Sequence, residues 1–149
     1  MYRGQNFVAM YNSIPKHEDI HWIIVKSRSI NIPIVGQWMQ NNVTLVDFIG
    51  HESIHIVNQK VNLGVEKMRH GFFQGFDDDT IFNPNLYDVF KKYGPNYKFI
   101  MGSQQLTSGH VRKGMVPTPN VTDGAQALIH SDLLFGNVFQ TFQQSPTAD

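Results

Sequence analysis

The sequence predicts an α+β fold, and three observations favour this class. Short apolar runs rich in β-branched and aromatic residues are typical of strands. These runs alternate along the chain with segments that carry helix start and stop signals. The clearest helix is predicted over 83–95, where Asn83 offers a cap, Pro84 lies in the first turn and Gly94-Pro95 ends the helix. With 149 residues, 41% of them hydrophobic, the chain is long enough to bury one core, and we expect a single domain over residues 1–149.

The first half of the chain begins with a predicted strand and helix. Residues 6–11 form a short apolar run closed by polar residues, which is typical of a buried strand. Ser13 and Pro15 then predict the start of a helix over 16–26. The β-branched run at 23–25 does not fix the residue at which this helix ends. Alternating isoleucines over 30–34 predict an edge strand, since this segment contains a proline.

Later elements follow from the same kinds of pattern. A turn over 36–42 leads into a strand over 42–50, and alternation over 53–67 predicts two further strands. The acidic run 77–79 and the basic segment 109–114 are expected to be loops. The remaining predictions are strands over 97–101 and 116–122 and a helix over 125–142.

Composition limits the classes of function. The net charge is zero, so no overall field attracts duplex nucleic acid, and any phosphate binding must be local. The absence of cysteine excludes disulfides and thiolate metal sites and fits a reducing compartment. No apolar run approaches the ~18 to 20 residues of a membrane span. We therefore expect a soluble, cytoplasmic protein without a membrane partner.

The triplet Asn-Val-Thr occurs twice, at 42–44 and at 120–122. On a strand, residues i and i+2 point to one side, so each triplet would present an amide and a hydroxyl on the same face. These groups donate hydrogen bonds to anionic oxygens. We therefore expect Asn42, Thr44, Asn120 and Thr122 to line one phosphate-binding cleft. An ordinary turn-to-strand junction is the competing interpretation of each triplet.

Charged and aromatic residues near the triplets are further candidates for ligand binding. His110, Arg112 and Lys113 would add positive charge, unless they form only a solvated loop. Tyr11 and Trp38 are candidates for stacking on a base, and the competing interpretation places them in the core or at its rim. The same two interpretations, stacking on a base or a place in the core or at its rim, apply to Tyr93 and Tyr97.

These segments resemble the 2H phosphoesterase superfamily, which includes 2′-5′ RNA ligase-like proteins and several viral phosphodiesterases. Residues 7–10 and 14–18 are similar to the opening strand and Pro-initiated helix of that family, and 38–50 and 119–122 are similar to its two His-x-Thr signatures. The resemblance implies a bilobed fold in which two antiparallel sheets flank a central cleft with outer helices. It also implies a cyclic or 2′-5′-linked nucleotide or short oligonucleotide as the ligand, no cofactor, and a possible role in viral counter-defence (immune evasion).

The chain departs from the family at both signature histidines, where Asn42 and Asn120 stand instead. The resemblance implies that one histidine acts as general base and the other as general acid, while the two hydroxyls hold phosphate oxygens. A carboxamide does not exchange protons near neutral pH, and losing one acid or base typically costs ~10²- to 10⁴-fold in rate. We therefore expect binding without efficient cleavage, whether the asparagines are natural or were introduced to trap a substrate.

A zinc metallohydrolase is the first alternative. On a helix, His51 and His55 would share a face and bind zinc, with Glu52 as the base. This segment resembles the zincin metallopeptidases, and His17 to His21 repeat the pattern. A third ligand at a familiar spacing is missing, and the predicted strand competes with the required helix. A viral structural or interaction protein is the second alternative, which the Asn- and Gln-rich composition permits.

The 2H interpretation predicts that Asn42→His together with Asn120→His creates phosphodiesterase activity that needs no metal. The reason is that two imidazoles supply the missing acid and base. Turnover of 2′,3′-cyclic nucleotides by the folded double variant, measured in the presence of a chelator, checks this prediction. A folded double variant without turnover, or one that requires added metal, contradicts it.

Overall fold

Helices and short strands alternate along the chain, which confirms the predicted α+β class. The structure is a computed structural model that describes residues 4–33, 36–50, 56–68, 70–77, 80–114 and 124–134. The helices are α1 (Gly4–Ser13), α2 (Gly36–Asn42), α3 (Ile56–Lys67), α4 (Leu86–Tyr93) and α5 (Ser131–Leu133). The strands are β1 (Trp22–Ser27), β2 (Val43–Phe48), β3 (Phe72–Phe73), β4 (Phe99–Met101), β5 (Gln104–Gln105), β6 (Val111–Arg112) and β7 (Ala127–His130).

The chain divides into two compact units. Unit 1 contains α1 and the described residues from His70 onward, and unit 2 contains the described residues from Pro15 to Met68. Among the helices described, none is long and apolar enough to cross a membrane.

Unit 2 is organised around a parallel pair of strands. β1 and β2 run in register from Trp22 opposite Val43 to Ser27 opposite Phe48. Parallel strands need a crossover connection, and α2 lies within it. The strand that carries Thr44 therefore pairs in parallel, which differs from the antiparallel sheet that we expected.

Three segments of unit 2 differ from their predicted structure. The predicted helix 16–26 is wrong throughout, since residues 15–21 form an irregular loop and residues 22–26 belong to β1. The run of β-branched residues in β1 favours extended backbone. The predicted turn over 36–42 is α2, whose Met39 is only 2% exposed. Residues 30–33 have no regular structure, although Ile32 is buried.

The predicted pair of strands over 53–67 is also wrong from Ile56 onward, where the chain forms α3. Val61 is 41% exposed and Val65 is 2% exposed, so the alternation of apolar residues does not correspond to alternating burial. A Cβ added at Gly64 would lie 3.4 Å from Val25 Cγ2. The missing side chain therefore lets α3 approach β1 closely, which supplies the packing that stabilises this short helix.

Unit 1 begins with α1, where a strand was predicted over 6–11. Phe7, Met10 and Ile14 are each at most 9% exposed, whereas Val8 is 55% exposed. Burial at spacings of three and four residues is the helical period, so a single helix face enters the core. The apolar run did not reveal this face because its exposed members are apolar as well.

The strand β7 is the centre of the three-stranded antiparallel sheet of unit 1, with β3 on one side and β4 on the other. This finding corrects the helix predicted over 125–142 for residues 127–130. Gln126, which is 4% exposed, donates to the carbonyl oxygens of Gly102 at 3.4 Å and Arg112 at 3.3 Å. The buried amide therefore joins the start of β7 to the segment after β4 and to β6.

Other predictions hold in whole or in part. α4 confirms a helix within 83–95, but its N-cap is Asn85, so the predicted cap at Asn83 and the placing of Pro84 in the first turn are wrong. The side chain of Asn83 instead accepts a hydrogen bond from the Asn85 backbone N–H at 2.9 Å in the turn before the helix. β2 and β4 confirm strands within 42–50 and 97–101. The predicted strand over 116–122 and residues 78–79 of the acidic run lie outside the described residues.

Replacing Met39 by alanine is expected to destabilise unit 2 by about 2–5 kcal/mol, because the truncation leaves a cavity in its core. The only two tryptophans of the chain, Trp22 and Trp38, belong to this unit, so tryptophan fluorescence during urea unfolding reports on it. Gln40→Ala, at an exposed neighbour in the same helix, is the control and should change stability by less than about 0.5 kcal/mol. Equal unfolding midpoints for the two variants would contradict the assignment of Met39 to the core.

Candidate functional site

Two side chains of α2 hold the irregular loop over residues 15–21. Trp38 Nε1 donates to the carbonyl oxygen of His17 at 3.1 Å. The Asn42 amide donates to two further carbonyl oxygens of the loop, at 3.1 Å each. Because Trp38 and Asn42 are four residues apart, they lie on the same face of the helix. We call these three hydrogen bonds the loop clamp.

The loop clamp changes the role expected for Asn42. This residue ends α2 and does not lie on a strand, so the alternation that was to pair its side chain with Thr44 does not apply. Its amide nitrogen donates to the carbonyls of Glu18 and Ile20, which uses both amide hydrogens. Asn42 therefore positions the loop.

The loop ends at a histidine that contacts Thr44. His21 Nε2 lies 2.7 Å from Thr44 Oγ1, and both groups are at the surface of unit 2. His21 comes directly before β1, and Thr44 lies on β2 opposite Ile23. In the sequence, His21 stands out only as part of the repeated zinc pattern over His17 to His21, because the parallel register that brings it to Thr44 has no local sequence signal.

A positive charge and an aromatic ring lie at the loop clamp, because Lys16 precedes His17 and Trp38 donates to His17. Lys16 Nζ lies 4.9 Å from the centroid of the Trp38 ring, within the range of a cation–π contact. Partial burial lowers the pKa of Lys16 from its ordinary value. We call Lys16, His21, Trp38, Asn42 and Thr44 the Thr44 patch, and it unites three residues predicted from the sequence with two that were missed.

The other predicted site residues that are described belong to unit 1. The predicted basic loop 109–114 contains β6, which pairs with β5 in a hairpin, and Gly109 in its turn has a φ of +83°. Arg112 is half-buried and donates to Gln104 Oε1 at 3.4 Å, while His110 and Lys113 are exposed. Tyr11 is half-buried in α1. The remaining predicted residues lie outside the described part of the chain, namely Asn120, Thr122, His51, Glu52 and His55.

A second cluster of polar side chains lies in unit 1 and was missed by the sequence analysis. One potential metal-ligating atom from each of His70, His130 and Asp132 lies within 4.8 Å of the other two. The only local signal is the pair His130 and Asp132, two residues apart. The pairing of β3 with β7 brings His70 to them from a distant part of the chain.

The carboxylate of this cluster is paired with a lysine. Lys98 Nζ donates to Asp132 Oδ2 at 2.6 Å. This hydrogen bond, together with the positive charges of Lys98 and of the two histidines when protonated, lowers the pKa of Asp132 despite some desolvation, which raises it. Asp132 therefore remains a carboxylate to lower pH than an isolated aspartate.

The lowered pKa of Asp132 predicts a specific dependence on pH. Because the pKa is lower in the folded protein than in the unfolded chain, Asp132 stabilises the fold above its ordinary pKa, and this contribution is lost as the pH falls through the folded-state pKa. Replacing Lys98 by methionine is expected to raise the titration midpoint of the Asp132 carboxyl carbon, measured by NMR in metal-free buffer. Lys92→Met, which removes an exposed lysine of α4, is the matched control. An Asp132 midpoint that is unchanged in Lys98→Met contradicts the assignment.

Comparison with protein-family models, with curated proteins and with solved structures returned no match for this chain. The chemistry of both clusters must therefore be argued from their own residues.

Proposed function

We propose that the chain binds the phosphate of a nucleotide at the Thr44 patch and does not cleave it efficiently. The observation that carries this proposal is the 2.7 Å contact between His21 Nε2 and Thr44 Oγ1. It pairs an imidazole with the threonine of the first triplet, although this imidazole comes from position 21, whereas the 2H resemblance has the histidine at position 42, which is asparagine here.

The groups of the Thr44 patch are suited to an anion. The Thr44 hydroxyl donates one hydrogen bond, and a protonated imidazole or the Lys16 ammonium donates the stronger, charge-assisted kind. His21 is exposed, and Thr44 Oγ1 faces it, so a phosphate oxygen can approach both groups from solvent. One face of the Trp38 ring is occupied by Lys16, so a base would stack on it only if that ammonium turned to the phosphate.

Cleavage of a phosphodiester needs more than this patch offers. The reaction uses a general base and a general acid, and His21 is the one residue of the Thr44 patch whose side chain ordinarily exchanges protons near neutral pH. The amide of Asn42 is bonded to backbone carbonyls and cannot take the second role. The absence of one partner accounts for a rate loss of ~10²- to 10⁴-fold.

The ligand class comes from the 2H resemblance, which favours a cyclic or 2′-5′-linked nucleotide or short oligonucleotide. The bilobed 2H-like fold, a cytoplasmic location and a viral counter-defence role belong to the same proposal. The resemblance also adds Asn120 and Thr122 as a second pair of phosphate contacts. Duplex nucleic acid is not proposed as a partner, because the net charge is zero. A membrane is not proposed either, because no apolar run in the sequence approaches the ~18 to 20 residues of a membrane span.

Calorimetry with a cyclic dinucleotide, a 2′,3′-cyclic nucleotide and 2′-5′ oligoadenylate tests this proposal. We expect at least one of them to bind without turnover. Thr44→Val keeps the β-branched shape and removes the hydroxyl, so the loss of one charge-assisted hydrogen bond should weaken binding by about 1.5–3 kcal/mol, or roughly 10- to 100-fold.

Thr107→Val, at an exposed threonine of unit 1, is the matched control and should bind like the parent chain. A 3′-5′ oligoadenylate of equal length separates recognition of the 2′-5′ linkage from general attraction to phosphate. The proposal fails if none of the nucleotides binds, or if Thr44→Val binds as tightly as Thr107→Val.

A further inference from the structure

We propose that His70, His130 and Asp132 form a zinc-binding site in unit 1. These residues offer two imidazole nitrogens and one carboxylate oxygen, which are ligands that Zn²⁺ accepts. One such atom from each residue lies within 4.8 Å of the other two. This site is separate from the phosphate-binding residues proposed above and does not depend on them.

The antiparallel pairing of β3 with β7 builds the cluster. Phe72 lies opposite His130 in this register, and the Ser131 N–H donates to the Gly71 carbonyl oxygen at 2.8 Å. The ladder therefore continues one pair beyond β3, to Gly71 and Ser131, so that His70 lies beside the point where β7 passes into α5, which carries Asp132. All three side chains are thus carried by backbone segments that hydrogen-bond to one another.

Neighbouring groups orient the three ligands. Ser131, which is 2% exposed, has its Oγ 3.2 Å from His70 Nδ1 and also accepts the Gly71 N–H at 3.4 Å. The ring of His130 is held edge-on between those of His70 and Phe72, with centroid separations of 5.0 Å to each. Bonds of this kind to the second nitrogen of a histidine, and packing around its ring, are the usual supports of a metal-ligating histidine.

The separation of the ligands is compatible with zinc after a small side-chain movement. Zn–N distances near 2.0–2.1 Å in a tetrahedral site place ligand atoms ~3.3 Å apart. His70 and Asp132 are exposed, so rotation of their side chains can shorten the observed separations, whereas the half-buried His130 stays in place.

Lys98 is the competing cation at this site. Its ammonium donates to Asp132 Oδ2, which also lies 3.4 Å from His130 Nδ1. A carboxylate has two oxygens and about four acceptor positions, so Asp132 can ligate a metal while it keeps the lysine. The positive charge weakens zinc binding but also keeps the carboxylate ionised and oriented. Three protein ligands at an exposed position leave a fourth place for water, which is the arrangement of catalytic rather than structural zinc sites.

Titration of the full-length, metal-free protein with Zn²⁺ in a calorimeter tests the proposal, and NMR of the histidine ring nitrogens identifies the ligands. We expect one equivalent of Zn²⁺ to shift the ring signals of His70 and His130, and Mg²⁺, which prefers oxygen ligands, to shift neither. His70→Ala and Asp132→Asn should each weaken zinc binding ~10- to 100-fold or more, the range that even the outer contacts of a metal site control.

His110→Ala and Asp77→Asn, at exposed positions outside the cluster, are the matched controls and should bind zinc like the parent chain. The Asp132→Asn variant keeps the test valid if a histidine variant fails to fold, because it preserves the size and shape of an exposed side chain. Absence of zinc binding by the parent chain overturns the proposal. So does zinc binding that survives in both cluster variants and disappears when His51 and His55 are replaced, since the metal would then lie at those residues.

Discussion

The loop clamp is the interaction on which the surface of unit 2 depends. Trp38 and Asn42, one turn apart on α2, donate three hydrogen bonds to backbone carbonyls of residues 15–21. Ordering such a loop costs about 1–2 kcal/mol of backbone entropy per residue, and these bonds offset part of that cost while satisfying carbonyls that no helix or strand pairs. His21 follows this loop directly before β1, and the parallel register brings Thr44 to it.

In unit 1, the central strand β7 plays the corresponding part, because it holds distant segments together. β7 pairs with β3 and β4, and the buried Gln126 at its start bonds to carbonyls of the neighbouring segments. The ladder joins parts of the chain 61 positions apart, as the contact of His70 with Ser131 shows. The pairing of β3 with β7 thus brings His70, His130 and Asp132 together in one cluster. The proposed phosphate site and the cluster of His70, His130 and Asp132 share no residue, so evidence against one leaves the other intact.

Several elements could be predicted from local signals. The segment 83–95 contains α4, which ends at Gly94 as its Gly-Pro pair predicts, although the helix begins at Leu86, later than Asn83 and Pro84 predict. β2 and β4 follow from their apolar and β-branched residues. Apolar runs alone were misleading at α1, α3 and β7, since a short apolar run does not distinguish a buried helix from a strand. In each case the face that enters the core was decided by a partner elsewhere in the chain.

For the candidate sites, the residues alone identified Trp38, Asn42 and Thr44 as polar or aromatic groups near one triplet, together with the α+β class and the absence of cysteine. These features could be predicted because capping and turn chemistry act over a few neighbouring residues and composition needs no structure. Only the tertiary structure decided that the Asn42 amide donates to backbone carbonyls of the loop and that His21 contacts Thr44. It also decided that His70 lies close to His130 and Asp132. These pairings depend on strand register and on a helix face packing against a distant loop, and the free energy of such contacts is determined by two segments at once.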